Sequence, residues 1–332
     1  MLCYQNPICT ADNLIVSIDN IVADFYISEP SARIALMKIL EQLPLQYAVD
    51  VRNWTSFKIG SFRENFTIAM QDGTSFWLGV ALNSRKTEWG RIRLDFNPNK
   101  VGEHETFQLL LLYVVQHTRP MHRTLKRFDL AIDIPIVRQD VFLVKDKRVY
   151  IERRHGQEWT QYLGPKSSTV GRVKLYNKQI ESKLLYPLTR LELTLDPATP
   201  YTEIAFPTVY YLDDLQIQMD DLFKITDTEN FILNALLQGF GSVDMLGYKT
   251  RKKIEMLLSK YVRKIEICEK DYNAVLRQLS RYVSSGIAYD TSLTDQPPQY
   301  VPQLPDWVTE IDNEVQVGLD ELPRTANGEL PF

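Results

Sequence analysis

Arg172-Val173-Lys174-Leu175-Tyr176-Asn177-Lys178 reads as a strand of period two, with Val173 and Leu175 on one face and Arg172, Lys174, Tyr176 and Lys178 on the other. A tyrosine among cations on an open sheet face is an unusual composition. Its plain explanation is a half-buried strand kept soluble by long charged stems. Two further stretches bear on the choice, because both offer carboxylates on their polar faces.

In LKRFDLAIDIPI (125–136), Phe128, Leu130, Ile132 and Ile134 form an apolar face, and Arg127, Asp129, Ala131 and Asp133 share the other. The two aspartates are expected close together on that side. In LTRLELTL (188–195), Leu191, Leu193 and Leu195 point one way and Arg190, Glu192 and Thr194 the other. Between these strands, WTQYLGPKSSTVG is a short strand followed by a loop whose hydroxyls, N–H groups and Lys166 suit a phosphate, although a Gly-Pro turn with a solvated lysine fits equally well.

The section before these strands is also strand-rich. Residues 14–27, LIVSIDNIVADFYI, are apolar and β-branched; SARIALMKILEQL has apolar positions at helical spacing with Ser31 as N-cap candidate. ENFTIAM, TSFWLGVAL and GRIRLDFNP are strand candidates, and a helix is expected through about 104–117. With no glycine-rich phosphate loop, the pattern predicts an α+β fold: an antiparallel-rich central sheet with helices packed on one face, followed by a mainly helical C-terminal region.

After Pro207 helices are expected near 217–224, 228–239, 249–266 and 269–284. Lys249, Arg251, Lys252, Lys253, Lys260, Arg263 and Lys264 face a single acid, Glu255, within the sixteen residues 249–264. Such a basic helix suits a DNA backbone or groove, or is simply a solvated amphipathic face. From Gly286 onward nine acidic residues meet only Arg324, so the net charge of −4 conceals a mildly basic body. The expected divisions are 1–120, an N-terminal α+β half of the sheet domain; 121–207, the catalytic strands; 208–285, a helical basic DNA-binding region; and 286–332, an acidic, proline-containing flexible tail.

There is no run of 18 apolar residues and no signal-like start, which predicts a soluble cytoplasmic protein without a membrane partner. Cys3, Cys9 and Cys268 lack CxxC spacing, against a disulfide framework or a zinc site.

Clustered carboxylates on neighbouring strands hold a hard divalent metal, act as acid and base, or pair with arginines; Arg127 and Arg190 beside Asp129 and Glu192 keep the last option open. A glycosidase-like carboxylate pair leaves the cations and tyrosine unexplained. Phosphodiester chemistry accounts for all of them. The carboxylates would bind Mg²⁺ or Mn²⁺, the cations would hold DNA, and Tyr176 would be the nucleophile.

The ordered set RFDLAIDI, TQYLGPKSS, GRVKLYNK and TRLELTL resembles the trans-acting replication-initiator family of rolling-circle plasmids, which includes relaxases of Gram-positive integrative conjugative elements and related phage proteins. The resemblance is clearest over 124–195 and extends toward residue 14. It implies Tyr176 as the nicking and joining nucleophile, a metal site at Asp129, Asp133 and Glu192, and supporting contacts from Lys178, Arg190, Lys166 and Arg172, with Lys174 on the same DNA-binding strand. Pro165 departs from the family pattern, where a serine is more usual. Tyr162 and Tyr186 are rival nucleophiles.

His104, His117, His122 and His155 are isolated, so a histidine-ligated centre is not available and a carboxylate-only site is what the resemblance leaves. The implied activity is nicking of one strand of origin DNA, giving a 5′-phosphotyrosine and a free 3′-OH on a single-stranded or extruded substrate. Trp159 and Tyr162 are candidates to stack bases. A host helicase and a second copy of the chain are candidate partners, since plasmid members are commonly dimeric and some relaxases monomeric. The rival readings are a non-catalytic origin- or operator-binding protein on the same scaffold and a metal nuclease that uses water.

Overall fold

The structure, a computed structural model, describes residues 7–9, 14–27, 29–54, 62–81, 90–156, 158–165, 170–212, 225–284 and 303–320. In chain order the elements are β1 (Ile8–Cys9), β2 (Ile15–Ile27), α1 (Pro30–Gln46), β3 (Val49–Asn53), β4 (Glu64–Met70), β5 (Ser75–Ala81), β6 (Gly90–Phe96), α2 (Pro98–Val101), α3 (Glu105–Gln116) and β7 (Thr118–Ile134). There follow β8 (Val141–Leu143), β9 (Tyr150–His155), β10 (Glu158–Leu163), β11 (Val173–Asn177), α4 (Lys178–Glu181), β12 (Thr189–Leu195) and β13 (Val209–Leu212). The last are α5 (Asp227–Leu237), α6 (Tyr248–Tyr261), β14 (Val262–Lys264), α7 (Glu269–Ser284) and α8 (Asp306–Asp320). The fold is α+β, with a large antiparallel sheet and helices at the C-terminal end of the sequence. Among the described residues no helix is long and apolar enough to cross a membrane.

Two compact units divide the chain. The first takes Ile18–Phe128 and Val275–Phe332, and the second Pro7–Ser17 and Asp129–Ala274. Strands β2 and β7 each contribute residues to both units.

In the first unit the strand order is β3-β4-β5-β6-β2-β7. The alternation of GRIRLDF sets its two faces: Ile92, Leu94 and Phe96 are buried opposite Phe25, Ala23 and Ile21, while Arg91, Arg93 and Asp95 lie on the other side. Helix α3 is almost wholly buried, as its leucine run requires. Its Phe107 ring packs 4.6 Å from Phe96 and 5.2 Å from Phe76. Helix α1 begins at Pro30, which has no N–H to satisfy, so Glu29 holds the cap position and Ser31 lies inside the helix, buried.

The stretch expected to be a flexible tail contains α8, whose Val308, Val315 and Leu319 are buried. Asp312 fixes it to α3, accepting from Tyr113 Oη at 3.1 Å and lying 3.3 Å from His117 Nε2. Asp312→Ala is expected to lower stability by about 1–2 kcal/mol, the value of a part-buried charged hydrogen bond. Thermal unfolding measures it, and a melting curve identical to that of the parent would remove the clasp.

In the second unit the order is β7-β12-β11-β10-β9, with β11 paired antiparallel to both β12 and β10. Leu191 and Leu193 lie opposite Leu175 and Val173, and all four are buried on one face. A smaller sheet, β14-β13-β8, shares a core with α5 and α6 built from Phe142, Leu212, Leu233, Leu237, Ile254, Leu257 and Tyr261. The helix expected over 249–266 ends at Tyr261: the next residues, Val262, Arg263 and Lys264, pair with Leu212, Tyr211 and Tyr210, so strand pairing overrides helical spacing there. The helix expected at 217–224 lies outside the described residues.

Candidate active site and nucleic-acid interface

Cross-strand register fixes which side chains share a face. Tyr176 stands opposite Arg190 on β12 and Thr160 on β10; Lys174 stands opposite Glu192 and Tyr162. Arg190 bonds Asp133 of β7, which brings that strand's polar face to the same side, Asp129 included by parity. The expected gathering of Tyr176, Lys174, Arg190, Glu192, Asp129 and Asp133 on one sheet face is what the register produces.

Its geometry has two parts. At the first, Tyr176 Oη donates to Glu192 Oε1 at 2.5 Å, and Lys174 Nζ lies 3.3 Å from Glu192 Oε2 and 3.7 Å from the centre of the Tyr176 ring. Tyr176 is only 4% exposed. Burial first, and then the charge of Glu192, push its phenol far above the ordinary tyrosine value. Asn177 closes the strand by accepting from Ile180 N–H, which starts α4. Lys178 is buried there with its ammonium 2.5 Å from Glu181 and 5.7 Å from the Tyr176 ring centre.

At the second, Arg190 grips Asp133 through two bonds, Nε to Oδ1 at 2.6 Å and Nη2 to Oδ2 at 2.7 Å, with side-chain exposures of 3% and 0%. Ion pairing, left open by the sequence, is thus what these two residues do. Asp129 and Asp133 are four residues apart, which spans about 13 Å of strand. They are too distant to ligate one ion. Among the described residues no group of three histidines, cysteines or carboxylates is gathered as metal ligands. Asp129, Asp133 and Glu192 therefore do not fit a common Mg²⁺ or Mn²⁺ site.

The remaining expected contacts fall in several places. Arg172 lies on the Tyr176 face beside Tyr162, its guanidinium 4.9 Å from the ring centre. Lys166 lies outside the described residues. Trp159 points to the opposite face, sandwiched between Arg138 and Arg154 at 4.0 Å each and donating to Glu152, so it is packed rather than presented for base stacking. On α6, Lys249 and Lys252 are exposed. Arg251 is paired with Glu255 and Asp244, Lys253 with Glu229 and Lys264 with Glu266, which neutralises part of the expected basic surface.

Arg153 was not singled out by the sequence, because β9 is a short charged strand, YIERRH, without a clear apolar alternation. Its register opposite Thr160 puts it on the Tyr176 face.

The raised phenol values have a consequence for stability. In the unfolded chain Tyr176 ionises near 10, in the folded chain only above that, so over this window the native state binds more protons and stability falls as pH rises. Tyr113 and Tyr282, raised by burial, and Tyr150, pushed up to about 12, add with the same sign. The melting temperature is expected to drop steadily above pH 10, with a smaller drop in Tyr176→Phe. A flat profile to pH 12 would contradict the buried placement.

No family model matches the chain, and no curated protein matches it. Among solved structures, a rolling circle replication initiator protein from Geobacillus stearothermophilus is similar over 92% of this chain and 97% of its own, at 14% sequence identity and a TM-score of 0.34. That degree of similarity assigns neither function nor site.

Proposed function

We propose that the chain is a rolling-circle replication initiator or relaxase that nicks one DNA strand through Tyr176. The observation that carries this is the 2.5 Å hydrogen bond from Tyr176 Oη to Glu192, on a sheet face that also presents Lys174 and Arg172. The order of the four short motifs supports the same reading.

The chemistry follows from the local groups. The phenol is held neutral, so it needs a base at the moment of attack, and Glu192 is already bonded to its proton. As Oη bonds to phosphorus, Glu192 takes that proton and the bond from phosphorus to the 3′ oxygen breaks. The 5′ phosphate stays on Tyr176, and the departing oxygen, once protonated, is the free 3′-OH. Lys174 lies over the ring and against Glu192, so it has to swing aside for a strand to enter, and it then offers its charge to the phosphorane. Arg190, held by Asp133, supports the strand carrying Glu192 and contributes a fixed positive charge beside the phenol.

One observation favours a second reading. The near-complete burial of Tyr176 also fits a non-catalytic origin- or operator-binding protein. Incubating the protein with supercoiled DNA of the element that encodes it, with and without Mg²⁺ or Mn²⁺, separates the readings. A covalent protein–DNA adduct is the expected result. Nicking without an adduct points to a water nuclease, and binding without cleavage to the non-catalytic protein.

A further inference from the structure

Beside the tyrosine, the second unit holds a small pocket of about 180 Å³ lined by Ile151, Arg153, Tyr162, Gly164 and Arg172. Both arginines lie against the Tyr162 ring, Arg172 at 4.9 Å and Arg153 at 5.9 Å from its centre. The stacking orients the guanidinium groups and leaves their edges as donors.

Two cations turned toward one pocket ordinarily have a carboxylate between them. Elsewhere in this unit they do: Arg148 has Asp146, Arg154 has Glu152, Lys174 has Glu192 and Arg190 has Asp133. Among the described residues no carboxylate pairs with Arg153 or Arg172. The Arg172 Nε is moreover buried with no hydrogen-bond partner there. A buried donor without a partner is a destabilising feature that a ligand relieves.

Gly164 forms part of the pocket wall, and its φ of +90° is a backbone conformation that suits glycine.

Position says what the anion is. Tyr162 stands opposite Lys174 and Ile151, and Arg153 opposite Thr160, which itself faces Tyr176, so pocket and tyrosine share a sheet face. Arg172 precedes Tyr176 by four residues, about 13 Å along the strand. That is too far for the phosphate under attack, and it suits another phosphate of the same chain of nucleotides. We infer that Arg153, Tyr162 and Arg172 form a subsite for a phosphodiester of single-stranded DNA that neighbours the scissile one. The inference rests on the proposed nicking function for the identity of its ligand. Two guanidinium forks flanking one aromatic ring suit the tetrahedral phosphate oxygens.

The test uses the full-length chain and a fluorescein-labelled oligothymidylate of about twelve nucleotides, with anisotropy titrations between 50 and 200 mM salt. Arg153→Gln and Arg172→Gln are each expected to weaken binding roughly three- to tenfold and to make the salt dependence shallower by about 0.7, the increment for one phosphate contact on a single strand. Arg172→Lys keeps the charge but loses the fork, and should recover part of the affinity. Arg153 is exposed, so its replacement leaves folding intact even if an Arg172 variant unfolds.

Parent-like affinity and slope in Arg153→Gln would overturn the inference, as would failure of the parent chain to bind the oligonucleotide at 50 mM salt. The adduct assay keeps the two claims apart. Weakened binding in the arginine variants without any adduct in the parent leaves the subsite standing and removes the nicking function. An adduct with unchanged binding in the arginine variants does the reverse.

Discussion

Asp133→Ala is expected to destabilise the protein by about 3–5 kcal/mol, the loss typical of removing one partner from a buried ion pair. Arg190 would remain with a charge at 3% exposure and no bidentate acceptor. The expected sign separates two roles for this aspartate. A carboxylate set aside for a metal is strained by its neighbours when the metal is absent, and its removal then leaves stability unchanged or higher. A carboxylate clamped by arginine does the opposite. Denaturant unfolding in chelator measures the difference, and the Asp133→Ala/Arg190→Met double variant should recover much of the loss, since apolar replacements of both partners leave nothing unpaired. A single variant as stable as the parent would mean that the pair is not what holds these strands.

Tyr176→Phe is expected to lower strand cleavage by more than about a thousandfold, because no other oxygen occupies the position of the attacking group. Glu192→Gln should lower it by about 10²–10⁴-fold, the range for a general base, since the amide still accepts the phenolic hydrogen bond but cannot take the proton. DNA binding by both variants should stay within a few-fold of the parent, because the arginines beside Tyr162 are untouched. The pair of substitutions tests the mechanism by its order. If Glu192→Gln cleaves at the parental rate while Tyr176→Phe does not, the base lies elsewhere; if Tyr176→Phe cleaves normally, the tyrosine is structural.

Much of this arrangement was legible because period-two alternation assigns a side chain to a face without knowing its neighbours. Tyr176, Lys174, Glu192 and Arg190 were sorted correctly by parity, and the strands at 14–27, 64–70, 75–81 and 90–96 announced themselves through buried β-branched and aromatic residues. Parity does not say which opposite charges will meet. Arg190 lies on the same strand as Glu192 but reaches across to Asp133, and only strand order decides that. Parity is also silent on distance along a strand, which is why Asp129 and Asp133 read as one ligand pair although four residues separate them.

The charged strand β9 and the short strands β8, β13 and β14 carry too few alternating positions to stand out, and their pairing supplies what their composition does not. The acidic composition around α8 hid an amphipathic helix whose buried Val308, Val315 and Leu319 recur at helical spacing.

The most direct test of the central claim is the identity of the residue joined to DNA. After reaction of the parent protein with the supercoiled DNA used in the adduct assay, nuclease trimming and trypsin digestion, mass spectrometry should find a 5′-linked nucleotide on the peptide Leu175–Lys178, whose one tyrosine is Tyr176. The same mass addition on His155–Lys166, which carries Tyr162, or on Leu184–Arg190, which carries Tyr186, would contradict the account.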